Sequence, residues 1–178
     1  MTYFDPAAYG PEVAAILALD GNGARPLALA EPVCTSGKAL AAIKASGAAK
    51  LFPRSRAPEA ALAGLYLYFG CWQEAHETAQ DVQSAEGSYW HAIVHRQEPD
   101  AWNSDYWFKQ VGRHAIFPAL RQAAGALGVD FGPEWRPGAF IKLCEEARSS
   151  PHGDRQCQVL AIQLAEWQLL FDYCAAER

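Results

Sequence analysis

A chain of 178 residues, 51% apolar and 20% charged, has the length and composition of one globular domain with a real core, which argues against disorder. Its net charge of −5, without any basic run, argues against nucleic acid or an acidic membrane as partner. The start, MTYFDPAAYGPEV, has an acid and two prolines where a signal peptide needs a basic stretch and an apolar core. The run VLAIQLAEWQLLF is broken by Gln163, Glu166 and Gln168 and is too short for a bilayer, so a cytoplasmic protein is expected.

Helical periodicity dominates the chain, and no run alternates as a strand would. PEVAAILAL forms a first short helix closed by the turn Asp20 to Gly23. ARPLALAEPVC, with Pro26 and Pro32, is an extended connector. Ser36 caps a helix through GKALAAIKA that ends near Gly47, and Pro58 suits the first turn of the next one. EAALAGLYLYFG then puts Leu62, Leu65, Tyr66 and Phe69 on one face and stops at Gly70. WQEAHETAQDVQ follows at once.

Ser84 caps AEGSYWHAIVHRQ, Pro99 ends it, and Asp100 or Asn103 caps SDYWFKQV, with Gly112 beyond its last turn. PALRQAAGAL and PGAFIKLCEEA are further helices. The last helix is the longest, with Leu160, Leu164, Trp167 and Phe171 as its core stripe. Cys34, Cys71, Cys144, Cys157 and Cys174 are odd in number and widely spaced, with no CxxC pair. They indicate neither a disulfide framework nor a thiolate zinc site, and each is expected to be a small buried apolar residue.

The stretch Gly87 to Phe117 holds three of the five histidines. On a helix, His91, His95 and Glu98 line one ridge at steps of four and three. Two imidazoles one turn apart can share a metal ion. The spacing is that of HExxH helices, but Ala92 stands where their general-base glutamate would be. A third ligand must come from His76, Glu98 or His114. Beside them stand Arg96, Asp100, Asp105 and Arg113, interleaved with Trp102, Tyr106, Trp107 and Phe108. One reading has Arg96 and Arg113 paired with Glu98, Asp100 or Asp105 to tie two helices together. The other has the arginines hold an anion while a histidine moves a proton.

Two resemblances follow from these residues. Leu62, Ala63, Tyr66, Gly70, Trp72, Ala75 and Ala79 fall where a tetratricopeptide hairpin places its packing residues, although Glu59 stands where that family usually has an aromatic. The likeness implies a helix hairpin. EGSYWHAIVHRQEPDAWNSDYWFKQVGRHAIF resembles the signature block YWHxIxHRxExDxxNxxYWFxxVGxH of an uncharacterised bacterial protein family. It does so through Tyr89, Trp90, His91, Ile93, His95, Arg96, Glu98, Asp100, Asn103, Tyr106, Trp107, Phe108, Val111, Gly112 and His114. Ala115 stands where that family is expected to have proline. This resemblance implies a kinship and carries no activity.

The expectation is therefore a single all-α domain spanning 1–178, of roughly eight or nine antiparallel, hairpin-connected helices, partly tetratricopeptide-like. A helical interaction or scaffold module is the leading function. The alternative is a metal-dependent or small-ligand-binding enzyme, with His91, His95, Arg96, Glu98, Arg113 and His114 as catalytic candidates. His76, His91, His95 and His114 would supply ligands for a divalent metal such as zinc. A protein or a small anionic ligand is the expected partner.

Overall fold

The computed structural model describes residues 4–30, 32–150 and 153–177. Among them the chain forms nine α-helices: α1 (Pro11–Leu17), α2 (Gly37–Leu51), α3 (Pro58–Tyr68), α4 (Trp72–Asp81), α5 (Ala85–Gln97), α6 (Ala101–Val111), α7 (Phe117–Ala126), α8 (Pro137–Ser149) and α9 (Asp154–Ala175). Helices α2 to α6 pack each on the next, and α9 lies against α3, α7 and α8. No helix among the described residues is long and apolar enough to cross a membrane.

The helix starts follow the local chemistry. Ser36 accepts from the Ala39 amide at 3.1 Å, Ser84 from Gly87 at 3.2 Å and Asp100 from Asn103 at 3.0 Å. Each side-chain oxygen thus satisfies one of the amides that a first turn leaves without a partner. Pro58 and Pro137 open α3 and α8, where a missing N–H costs nothing.

Three elements depart from the sequence expectation. Helix α2 kinks at Gly47 (φ 67°, ψ 172°) and resumes for a last turn to Leu51 instead of ending there. Helix α3 is buried from Ala60 to Tyr68 on every side, not along one stripe, because α2, α4, α5 and α9 all pack around it. On α9, Leu160 and Leu164 are only partly buried, while Ile162, Gln163 and Glu166 face inward with Trp167, Leu170 and Phe171.

The inward turn of Glu166 has a partner. Arg96 on α5, 1% exposed, pairs with the Glu166 carboxylate, and its Nη2 also donates to Gln163 Oε1 at 3.3 Å. Tyr89 donates to Glu166 Oε1 at 3.0 Å, and the guanidinium lies 4.7 Å over the Phe140 ring. Arg96 is therefore not tied to Glu98, Asp100 or Asp105, as helix neighbours would suggest. Those acids serve His95, the cap of α6 and Lys109 respectively. The connector before α2 forms no helix or strand among its described residues, and its carbonyls take the other buried amides: Ala28 O accepts from Gln97 Nε2 at 2.9 Å and from Gln163 Nε2 at 3.0 Å.

Two glycines let helices approach. A Cβ on Gly64 of α3 would stand 2.6 Å from the Trp90 ring of α5, and the Gly64 carbonyl accepts from Trp167 Nε1 of α9 at 2.8 Å. A Cβ on Gly87 would overlap the Val82 carbonyl, so the end of α4 and the start of α5 close together only around a bare Cα.

The cysteines correct one expectation. Cys144 and Cys174 are buried, as anticipated, but Cys157 is exposed and Cys34 is joined to Cys71 by a disulfide, with Cα atoms 4.4 Å apart. The pair is 37 residues apart in sequence, and only the path of the connector across the α3–α4 turn brings it together.

The buried Arg96–Glu166 pair yields a stability prediction. Removing one charge leaves the other desolvated and alone, so Glu166→Leu should lower the unfolding free energy by about 3–5 kcal/mol, read by urea denaturation. A loss no larger than that of an exposed ion pair would contradict the placement.

Candidate metal centre

Helix α5 carries His91 and His95 one turn apart, so both rings leave the same ridge. Their planes stack with centroids 4.8 Å apart and an interplanar angle of 23°. The cap at Ser84 and the close pass at Gly87 hold α4 against this ridge. His76, in the second turn of α4, meets both rings nearly edge-on, at 83° and 89°.

The result is a convergence of ring nitrogens. His91 Nε2 lies 3.0 Å from His76 Nε2 and 3.1 Å from His95 Nε2, and ligand atoms of the three residues all fall within 4.8 Å of one another. These three histidines could hold a metal ion. An imidazole Nε2 has a single in-plane position, either an N–H or a lone pair, and can therefore make one directed hydrogen bond. Two nitrogen neighbours oversubscribe it. Nitrogens bound tetrahedrally to one ion at about 2.0–2.1 Å stand about 3.3–3.4 Å apart, so the two contacts on His91 Nε2 would open by a few tenths of an ångström around an ion.

The surroundings fix each ring. Glu98 Oε2 lies 2.9 Å from His95 Nδ1. With Nδ1–H donating to that carboxylate, Nε2 of His95 is left as a lone pair aimed at the cluster. Trp107 of α6 stacks on His91, centroids 4.1 Å apart, and Trp72 stacks on His76 at 5.0 Å and 12°. The Trp72 indole N–H also donates to the Val94 carbonyl of α5 at 3.3 Å, bridging the two helices. His91 Nδ1, by contrast, is buried without a partner.

The environment favours neutral rings. Burial, and then the neighbouring His95 and His76, push the His91 pKa down to about 4. Burial and then His95 lower that of His76 as well. An imidazole must be deprotonated to ligate, and these two keep their lone pairs below the pH at which a free histidine would charge.

The other sequence candidates lie elsewhere. His114 is buried between Tyr89, Phe117 and Tyr173, with Glu86 4.0 Å from its Nε2, and it is not among the groups whose ligand atoms converge on the three histidines. Arg96 is consumed by Glu166 in the interior, and Arg113 is exposed just past the end of α6. The expected arginine pair around an anion is therefore not brought together. Trp72 is the contributor that sequence reasoning missed, and its one-turn spacing from His76 is the signal that could have found it.

A pH dependence follows for the metal-free protein. His91 has a folded pKa near 4, against about 6.5 in an unfolded chain, so the unfolded state takes up the proton first. Stability should be full above about pH 6.5 and fall as the pH drops towards 4, as read by urea unfolding with chelator present. His91→Gln should flatten that slope, and an unchanged slope would contradict the burial of a neutral ring. No protein-family model, curated protein or solved structure matches the chain, so its chemistry has to be read from these three imidazoles.

Proposed function

We propose that the chain binds one divalent transition-metal ion of the zinc class through Nε2 of His76, His91 and His95, and acts as a metal-dependent enzyme on a small molecule. The observation that carries this reading is the doubly contacted His91 Nε2, with nitrogens at 3.0 and 3.1 Å, an arrangement that a cation resolves and protons alone do not. Three neutral nitrogen ligands are the donor set of catalytic rather than closed structural sites, because they leave a coordination position open. With no anionic ligand in the set, an ion held there would keep its full charge and would supply Lewis-acid chemistry.

The protein's own groups do the positioning. Glu98 accepts from Nδ1 of His95 and holds its tautomer, while Trp72 and Trp107 keep the His76 and His91 rings from turning. Zinc or cobalt titrated into chelator-treated protein at neutral pH should bind one ion per chain by calorimetry. His91→Ala or His76→Ala should abolish binding with the helical circular dichroism unchanged, and Glu98→Gln should weaken it about 10–100-fold. A wild-type chain that takes up no ion would end this reading.

A second reading is favoured by one observation. Trp102, 76% exposed, and Tyr106, 46% exposed, stack on the outer face of α6 at 6.2 Å, a patch of the kind that mediates association. On that reading the domain, including its tetratricopeptide-like α3–α4 hairpin, is an interaction module that pairs with a second copy through α6. Sedimentation should then show a dimer that Trp102→Glu with Tyr106→Glu converts to a monomer. A wild-type monomer at all concentrations would exclude it.

A further inference from the structure

Cys34 and Cys71 lie outside the histidine cluster but at the foot of the helix that completes it. Cys71 is the residue before Trp72, where α4 begins. Trp72 in turn stacks on His76 and donates to Val94 of α5. The path from the sulfur pair to the third imidazole is thus the first turn and a half of α4. On its other side the pair is joined to the connector, which is itself pinned to the α3–α4 turn. Thr35 N donates to Phe69 O at 2.8 Å, and Gly70 (φ 67°) passes so close to the Val33 carbonyl that a Cβ there would stand 2.6 Å from it.

Helix α4 has few deeply buried anchors of its own. Its fully buried side chains are Ala75 and Ala79, the rest being partly or wholly exposed. So little apolar burial anchors it weakly compared with α3, which is buried from Ala60 to Tyr68. Whatever fixes its first residue therefore has leverage on where His76 sits.

We propose that Cys34 and Cys71 form a reversible redox latch. Oxidised, the bond anchors α4 and holds His76 against His91 and His95; reduced, it lets α4 loosen and weakens the metal centre. The effect on metal rests on the reading given above, whereas the effect on α4 does not. The chemistry is thiol–disulfide exchange with a small disulfide such as oxidised glutathione. The Cys34 thiolate, the more accessible of the two, attacks one sulfur and expels one glutathione thiolate. The Cys71 thiolate then attacks the mixed disulfide at Cys34 and expels the second. Two protein thiols lose two electrons and two protons, and the small disulfide gains them.

The test uses the full chain incubated either with oxidised glutathione or with dithiothreitol, then freed of reagent. Alkylation and peptide mass should show the Cys34–Cys71 link in the first sample and two free thiols in the second. Hydrogen exchange should be slower in residues 72–81 of the oxidised form, with little change in α8 and α9. Zinc should bind that form about tenfold or more tightly, the scale of a lost supporting contact. The double variant Cys34→Ser, Cys71→Ser should show the reduced-state values under both treatments. Cysteines that stay alkylatable after oxidant would overturn the proposal. So would a link that leaves α4 exchange and zinc affinity unchanged, or one that slows exchange equally in every helix. If α4 responds but neither form binds zinc, the latch stands and the metal reading falls.

Discussion

The buried pair between Arg96 and Glu166 sets the geometry on which everything else in this molecule depends. A guanidinium in the dry interior must find a carboxylate, and the one that reaches it comes from α9, seventy residues along the chain. That requirement fixes the rotation of α5 about its own axis. With Arg96 committed to α9, the ridge of His91 and His95 has to face α4. Gln97 and Gln163 complete the arrangement by binding the connector carbonyls, so the same network that orients α5 also lays the connector across the α3–α4 turn, where Cys34 meets Cys71.

Much of this was legible in the residues. The helix starts at Ser36, Pro58, Ser84 and Asp100 were readable because capping is a local matter of one side chain and the next turn. The ridge of His91, His95 and Glu98 was readable because i, i+3 and i+4 positions share a face whatever the tertiary structure does. His76 entered as a candidate third ligand only because its helix precedes α5, and the geometry singles it out over His114, which sits with Tyr89 and Tyr173 away from the ridge.

What stayed hidden was non-local. Nothing near Arg96 announces that its partner is Glu166 and not Glu98, since both are acids within reach of some helix packing. The link between Cys34 and Cys71 depends on where the connector crosses, which no periodicity encodes. The all-round burial of α3 was missed for a related reason: an apolar stripe read from one helix gives its most hydrophobic side, whereas burial is decided by how many neighbours pack around it. The stripe on α9 was read incompletely, because Glu166 entered only as an interruption of an apolar run, whereas it is fully buried against Arg96.

Gly64 shows how narrow the tolerances of this assembly are. At that one residue three helices touch: α3 supplies the backbone, Trp90 of α5 lies on its bare Cα, and Trp167 of α9 hydrogen-bonds its carbonyl. The two largest fully buried rings among the described residues are thereby registered against a single residue that bears no side chain. The smallest added group would press on the Trp90 indole and, through the helix that bears it, on the whole imidazole ridge. The keystone of the bundle is a place where matter is missing, and its contribution to the fold is the shape of the gap.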